Sequence, residues 1–174
     1  MSYPAAPPRV ETPRLLLREW RESDAEPHAA MCADPEVMRY LGGTLDPAGS
    51  WRRLAEHAGH WTLRGYGKWA VERRDTGEWI GRVGPWNPPD WPGVEVGWTL
   101  VRGAWGQGYA FEAADASVRW AWANLQCERI VSLIDPGNAA SIRVAERLGM
   151  RALPTAETPG TELTVFALDR PTPA

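Results

Sequence analysis

The apolar residues of this chain recur with two spacings, one typical of strands and one typical of helices. Short apolar or alternating runs bounded by turn residues predict six strands. They lie at residues 14–20, 68–73, 78–83, 94–101, 129–134 and 161–168. Asp75, Thr76 and Gly77 separate the second strand from the third and are typical of a hairpin turn. These two strands are therefore predicted to be antiparallel neighbours.

Helix-starting residues and a 3.6-residue period predict four helices. Ser23 and Glu26 have the spacing of a capping box, and Asp34 before Pro35 restarts the first helix. A second Asp-Pro pair at residues 46–47 starts the next one. The four helices cover residues 23–40, 47–63, 109–125 and 138–148. The order β-αα-βββ-α-β-α-β predicts an α+β or α/β domain with a mixed sheet.

The segment Trp105-Gly106-Gln107-Gly108-Tyr109-Ala110, here called the glycine turn, joins a predicted strand to a predicted helix. The first N–H groups of a helix lack intrahelical acceptors, and the helix dipole adds to their attraction for anions. The turn therefore predicts a phosphate or pyrophosphate site, unless it is only a tight connection. It lacks the GxGxxG spacing of a Rossmann unit and the Gly-Lys-Ser/Thr of a P-loop, so both are excluded.

Charge and composition narrow the class of protein. The net charge of -3 argues against a nucleic-acid-binding surface, which is usually basic. Cys32 and Cys127 have neither disulfide nor metal-ligand spacing, so reduced thiols and no metal site are expected. The chain has no apolar stretch long enough to span a bilayer and no signal-peptide pattern, so a cytoplasmic protein without membrane contact is expected.

The chain has 11 tryptophans, most of which are expected to serve in packing. Trp86 and Trp91 differ because they lie on the proline-stiffened loop 86–92. Two indoles held there would form a wall for an apolar or cationic ligand, or would pack onto the loop's own sheet. A Trp-rich module that binds a peptide or sugar is one reading of this loop, but it leaves the glycine turn unexplained.

Four segments occur in an order that resembles a known family. They are residues 11–18 (ETPRLLLR), 95–98 (EVGW), the glycine turn with Glu112 and Ala113, and 138–141 (NAAS) leading to Leu148-Gly149-Met150. Together they resemble the GNAT acyltransferases, and within them the RimJ/RimL-like N-acetyltransferase branch. The resemblance implies an α+β fold in α/β/α layers, with a mixed, central splayed sheet flanked by helices. The length of 174 residues suits one domain, expected to be GNAT-like over residues 11–170. The ends at 1–10 and 171–174, both rich in proline, are expected to be loose.

The resemblance also implies a site for acetyl-CoA as co-substrate. Backbone N–H groups of the glycine turn would hold its pyrophosphate. The pantetheine arm would lie beside Leu100 and Val101 and add itself to the strand through main-chain hydrogen bonds. Asn138 would lie near this arm, although it is equally suited to cap its own helix. Trp105 stands where many relatives have a Gln or Arg whose side chain can pair with phosphate. Backbone N–H groups must therefore bind the phosphate here.

Acetyl transfer to a primary amine needs a base, because an amine with a pKa of about 10 is mostly protonated at pH 7. Glu95 is the first candidate, on the strand face shared with Gly97 and Thr99. Its carboxylate would act directly or through a water. The alternative is that Glu95 faces solvent, as charged residues on half-buried strands usually do.

The departing thiolate needs a proton or a hydrogen bond. Ser141 resembles the hydroxyl that this branch presents near the sulfur, whereas a first-turn Ser more commonly bonds backbone. Many relatives use a Tyr farther along this helix, but the matching position here is Ala145. The missing Tyr supports a second hypothesis, a non-catalytic acyl-CoA-binding domain. Glu95 on the central strand speaks against it.

The resemblance does not choose among acceptors. A protein N-terminus, an amino acid, a polyamine and an antibiotic all fit, and the acidic balance mildly favours a cationic acceptor. His28, His57 and His60 lie on the early helices and are expected at the surface without a role. The oligomeric state is open, a homodimer included.

Overall fold

An eight-stranded mixed sheet forms the centre of the molecule in the computed structural model, which describes residues 6–154 and 162–171. The strands are β1 (Val10–Glu11), β2 (Leu15–Arg18), β3 (Trp69–Arg73), β4 (Trp79–Trp86), β5 (Val94–Leu100), β6 (Arg129–Ile134), β7 (Arg151–Ala152) and β8 (Thr164–Asp169). Their order across the sheet is β1-β2-β3-β4-β5-β6-β8-β7. All six predicted strands are present, although residue 161 of the last one lies outside the described residues. The additional strands β1 and β7 have two residues each, too few to show a period.

Five helices flank the sheet in the described part of the chain. They are α1 (Ala25–Ala33), α2 (Pro35–Met38), α3 (Pro47–Arg64), α4 (Tyr109–Asn124) and α5 (Ala139–Arg147). The two Asp-Pro starts are confirmed, since Asp34 accepts a hydrogen bond from the N–H of Glu36 and Asp46 from that of Gly49. The mixed α+β fold is as expected.

The start of α1 differs from the predicted capping box of Ser23 and Glu26. A 3₁₀ turn at Glu22–Asp24 precedes the helix, and Asp24 Oδ2 accepts from the N–H of Arg21 at 2.8 Å. The buried Asp24 carboxylate also pairs with both Nη atoms of buried Arg18 at 2.8 Å. This long-range pair, invisible to local spacing, decides where α1 begins.

Helices pack against both faces of the sheet. Ala70 and Val71 are consecutive on β3, so their side chains point to opposite faces. Val71 lies in one core cluster with Ala113 and Ala114 of α4, and Ala70 lies in another with Met31 of α1. Helix α5 packs beside α4 over β6 and β8, in a third cluster that contains fully buried Ala145.

The parallel neighbours β5 and β6 separate along most of their length. These two strands, both described throughout, pair only at Val94 with Ile130 and at Glu95 with Val131. Beyond that point Ser132 Oγ donates to the carbonyl of Val96 at 2.7 Å, and no further strand pairing joins β5 to β6. The expected splay of the sheet is therefore confirmed, and it opens a gap, here called the wedge.

Candidate active site

Two cavities meet at the wedge. One, here called the Glu95 cavity, has a volume of about 530 Å³. The other, here called the glycine-turn cavity, has a volume of about 570 Å³. Among the residues that the structure describes, six line both: Tyr40, Leu41, Trp98, Thr99, Asn138 and Ser141. A molecule that fills one cavity can therefore touch a molecule that fills the other.

The glycine turn forms one end of its cavity. Gly106 has φ +72° and Gly108 has φ +80°, values that side chains disfavour. An added Cβ at Gly106 would meet nothing within 4 Å, so the backbone conformation calls for glycine there, not a shortage of space. Gly108 is the N-cap of α4, and no side chain caps this helix. The first N–H groups of α4 thus remain available to an anion.

The N-terminal segment holds the glycine turn in place. Arg14 Nε donates to Glu112 Oε2 at 2.6 Å, and Arg14 Nη1 donates to the carbonyl of Gln107 at 2.9 Å. Glu112 Oε1 also accepts from Thr12 Oγ1 at 2.6 Å. Although burial raises the pKa of Glu112, the hydrogen bonds from Thr12 and Arg14 hold it below its usual range. The sequence marked these segments as a signature but gave no sign that they touch.

Two side chains of the glycine turn donate hydrogen bonds to nearby backbone carbonyls. Trp105 Nε1 donates to the carbonyl of Leu100 at 2.9 Å, and Gln107 Nε2 donates to that of Gly103 at 2.9 Å. Trp105, Gly106, Gly108, Tyr109 and Ala110 line the cavity. Of the residues in this turn, all of which the structure describes, Gln107 alone does not line the cavity. Its carbonyl and its side-chain amide both bond to protein.

The strand end expected to receive the pantetheine arm needs a correction at Val101. Its N–H donates to the carbonyl of Ile80 at 2.9 Å, so it is not free for a ligand. Leu100 lines the glycine-turn cavity, but its carbonyl already accepts a hydrogen bond from Trp105 Nε1. Because main-chain groups alternate in direction along a strand, those of Trp98 point into the wedge. Trp98, which the sequence did not single out as a ligand, has the main-chain groups suited to this role.

Asn138 and Ser141 lie where the cavities meet. Asn138 Oδ1 accepts from the N–H of Ser141 at 3.1 Å, so Asn138 is the N-cap of α5. No hydrogen bond joins the Ser141 hydroxyl to any other described residue. The expectation that a first-turn serine bonds backbone is thus not met, and this hydroxyl is available to a ligand.

Glu95 does not face bulk solvent. Its residue is 8% exposed, and Oε2 accepts a hydrogen bond from Trp91 Nε1 at 2.9 Å. An added Cβ on Gly97 would lie 3.2 Å from Glu95 Oε1 and 3.1 Å from Lys68 Nζ. The carboxylate and this ammonium therefore share the space above Gly97. Burial lowers the pKa of Lys68 to about 8, while the charge of Glu95 acts in the opposite direction.

The tryptophans of loop 86–92 line the Glu95 cavity. Trp86 stacks on His60, with 4.4 Å between ring centroids, and Lys68 Nζ lies 5.5 Å from the centroid of Trp86. Trp91 is 38% exposed and orients Glu95 through its indole N–H. The loop thus packs on its own sheet and also forms a cavity wall. Its contact with a ligand stays a prediction.

All three histidines are buried, contrary to the expectation that they decorate the surface. His28 bonds to Ser50 Oγ at 2.8 Å, and His60 bonds to the carbonyl of Tyr66 at 2.7 Å. His57 Nε2 contacts Arg82 Nη1 in the Glu95 cavity. Burial, followed by the charge of Arg82, holds the pKa of His57 well below its usual range, so this ring is neutral. The sequence singled out neither Arg82 nor Lys68 as cavity residues.

A family model described as the acetyltransferase (GNAT) domain matches residues 14–151. The chain belongs to the GNAT acetyltransferases. Enzymes of this family transfer an acetyl group from acetyl-CoA, and this chain is accordingly an acetyltransferase. Among the described residues no group of three or more His, Cys, Asp or Glu side chains is placed to hold a metal ion. No helix in the described part is long and apolar enough to cross a membrane.

Relatives extend over most of this GNAT chain. It is 37% identical to YkkB of Bacillus subtilis (strain 168), over 82% of this chain and 84% of YkkB. It is 30% identical to the uncharacterized N-acetyltransferase YoaA of the same organism, over 83% of each. The crystal structure of an acetyltransferase from Agrobacterium tumefaciens str. C58 has a TM-score of 0.86 and 32% identity, covering 97% of this chain and 98% of that one.

A RimL structure is a more distant neighbour of the GNAT chain. This ribosomal L7/L12 alpha-N-protein acetyltransferase, solved in complex with Coenzyme A, has a TM-score of 0.74 and 17% identity. The match covers 93% of this chain and 98% of that one. Likeness at that identity shows the fold alone. The expected place in the RimJ/RimL-like branch therefore reduces to a distant structural resemblance.

Proposed function

We propose that this enzyme moves the acetyl group of acetyl-CoA to a primary amine by direct attack in the wedge. One observation carries the proposal: the glycine-turn cavity and the Glu95 cavity share six lining residues. An anion-binding helix start closes one cavity, and a buried carboxylate lies in the other. A thioester reaching in from the first can meet an amine held in the second.

Donor binding in this proposal rests on backbone groups and on two arginines. The N–H groups at the start of α4 hold the pyrophosphate, and the main chain of Trp98 holds the pantetheine arm. Asn138 borders the arm. Arg143 and Arg147 line the same cavity and add positive charge for the phosphates. The Arg147 guanidinium is held over the Phe111 ring, 4.1 Å from its centroid.

Glu95 serves as the base, directly or through a water. It accepts the proton that the amine nitrogen loses as that nitrogen bonds to the acetyl carbon and the carbon–sulfur bond breaks. The hydrogen bond from Trp91 fixes one carboxylate oxygen and leaves the other above Gly97. The carboxylate is thus oriented before the acceptor arrives, which favours proton transfer.

Ser141 donates a hydrogen bond to the departing thiolate. The residue lines both cavities and its hydroxyl bonds to no other described residue, whereas Ala145 lies fully buried in the core. Tyr40 offers a second hydroxyl at the same junction. An added Cβ on Gly137 would lie 3.7 Å from the Tyr40 hydroxyl, so this phenol lies against the loop that precedes α5.

The test is incubation with acetyl-CoA and a panel of amines, with release of free thiol and the mass of the acetylated amine as readouts. We expect saturable CoA binding by calorimetry and stoichiometric thiol release with at least one amine. Binding without thiol release for any amine would favour the non-catalytic acyl-CoA-binding domain. Failure to bind CoA would overturn both hypotheses.

A further inference from the structure

Among the described residues, the walls of the Glu95 cavity carry Arg53, Lys68 and Arg82 together with Glu56, Glu95 and Asp135. Glu56 pairs with Arg53 at 3.5 Å, and Asp135 Oδ1 accepts from the N–H of Gly137 at 2.7 Å. Glu95 lies beside Lys68 over Gly97. No described carboxylate of this cavity pairs with Arg82.

Arg82 is a buried cation that makes no ion pair with any described residue. It is 4% exposed, and within the described part of the chain no carboxylate lies within 4 Å of its guanidinium. Its Nη1 contacts neutral His57, and its Nε has no hydrogen-bond partner among the described residues. A buried charge without a counter-ion is strongly unfavourable. Burial accordingly lowers the pKa of Arg82.

The strand register places Arg82 and Glu95 at opposite ends of one cavity floor. Arg82 lies across from Thr99, Gly84 from Gly97, and Trp86 from Glu95. Thr99 and Glu95 are four residues apart on one face of β5, which is about 13 Å along a strand. Gly97 has no side chain between these rows, and the Lys68 ammonium and the Glu95 carboxylate lie over it, 3.1 and 3.2 Å from an added Cβ. Gly84 is covered by the backbone of Gly67 and Lys68.

We propose that the acceptor is an amine that also carries a carboxylate, with the carboxylate bound by Arg82 and the amine directed to Glu95. This inference rests on the proposed acetyl transfer and names the acceptor class for it. The acceptor carboxylate supplies the anion that Arg82 lacks, through charge-assisted hydrogen bonds to its free guanidinium N–H groups. A polyamine would instead place further positive charge beside Arg82 and Lys68. The cavity thus reverses the preference for a cationic acceptor that the net charge suggested.

The test compares acceptors that differ only in charge. The panel contains the α-amino acids and the ω-amino acids from β-alanine to 6-aminohexanoate, each with its carboxamide and its decarboxylated amine, together with spermidine. We expect at least one acid to show a kcat/KM at least about tenfold above that of its carboxamide, as loss of a charge-assisted hydrogen bond predicts. The ω-series also measures the separation of Arg82 from the reacting amine.

Variants then assign the effect to Arg82. In Arg82→Gln the acid-to-amide ratio of kcat/KM should fall about tenfold or more, and Arg82→Lys should retain part of it. Arg53→Gln is the matched control, because this arginine lines the same cavity but already has Glu56 as partner, and its ratio should change less than about threefold. The ratio is taken within one protein sample, so a change in the folded fraction cancels.

The outcomes separate this inference from the proposed function. Preference for amides, decarboxylated amines or spermidine would overturn the carboxylate assignment and leave acetyl transfer standing. An acid preference that persists in Arg82→Gln would overturn the assignment to Arg82. No acetylation of any amine by protein that binds CoA would overturn both the inference and the proposed function.

Discussion

Arg14 at the edge of β2 and Glu112 in the first turn of α4 are 98 residues apart in sequence and 2.6 Å apart in space. Arg14 Nη1 also donates to the backbone carbonyl of Gln107, so one arginine links the glycine turn to the segment that leads into β2. The geometry of the proposed anion site thus depends on a residue in the segment that precedes β2.

The change Arg14→Gln should weaken CoA binding about tenfold, because the turn loses its bond to the sheet. Glu112→Gln should weaken CoA binding to a similar extent. The double variant should lose less binding free energy than the two single variants together, by about 1 kcal/mol. Calorimetric titration with CoA measures all three. Arg9→Gln is the control, since Arg9 forms an exposed pair with Glu19 on the same segment. Fully additive effects of the two changes would contradict the coupling.

Gly108→Glu should reduce CoA affinity at least about a hundredfold, since it brings a carboxylate to the anion site and strains a residue at φ +80°. Gly103→Glu is the matched control: Gly103 lies in the neighbouring 3₁₀ turn, and its added Cβ would meet nothing within 4 Å. Calorimetry gives both affinities. Equal CoA affinity of the two variants would show that the donor phosphate lies elsewhere.

Glu95→Gln should lower kcat about a hundredfold and leave CoA affinity intact, because the amide cannot accept the proton of the amine. Steady-state kinetics for both proteins at several pH values measure this. Glu56→Gln is the control, because Glu56 lines the same cavity and its carboxylate is exposed. This change should alter kcat less than about threefold. Identical profiles for wild type and Glu95→Gln would remove Glu95 as the base.

Ser141→Ala should lower kcat about tenfold with little effect on the KM for acetyl-CoA, since only the thiolate loses a partner. Tyr40→Phe keeps the ring against Gly137 and tests the second hydroxyl. If Tyr40 shares the role, the double variant should lose more than either change alone. Steady-state kinetics with one amine suffices. Unchanged kcat in all three variants would show that water alone protonates the thiolate.

Stability should fall as the pH is lowered below about 6.5, because burial lowers the pKa of His28 to about 4. Below pH 6.5 the unfolded chain binds a proton that folded His28 does not, which favours unfolding until the pH reaches the folded value. Between pH 6.5 and 5 this amounts to about 2 kcal/mol. Urea unfolding at pH 7, 6 and 5 measures it, and His28→Gln should show a weaker dependence. A wild-type stability that is flat from pH 7 to 5 would contradict the prediction.

The elements predicted correctly depend on neighbouring residues. The Asp34-Pro35 and Asp46-Pro47 starts succeed because a cap acts within three residues of itself. The strand-to-helix turn at residues 105–110 was predicted correctly because its φ values and its helix start are local as well, whereas anion binding there stays a prediction. The wedge was anticipated only through the family resemblance, since no spacing in β5 or β6 shows where their pairing ends.

The elements that were missed depend on distant partners. The start of α1 shifts because Asp24 pairs with Arg18, and the burial of His57 follows from its place against Arg82 of β4. The sequence around Lys68 does not show that this residue lies in the cavity. Gly84 and Gly97 could have indicated it, because glycine inside a strand often marks the close approach of another group, and Lys68 approaches both.

The wedge has a consequence for how binding can be observed. The main-chain groups of Trp98 point into the wedge, where no neighbouring strand pairs with them. A pantetheine arm bound there would supply their hydrogen-bond partners. Amide hydrogen exchange at Trp98 should therefore slow when CoA binds, whether or not any acceptor is present. The sheet itself thus reports donor occupancy, independently of the acetylation chemistry.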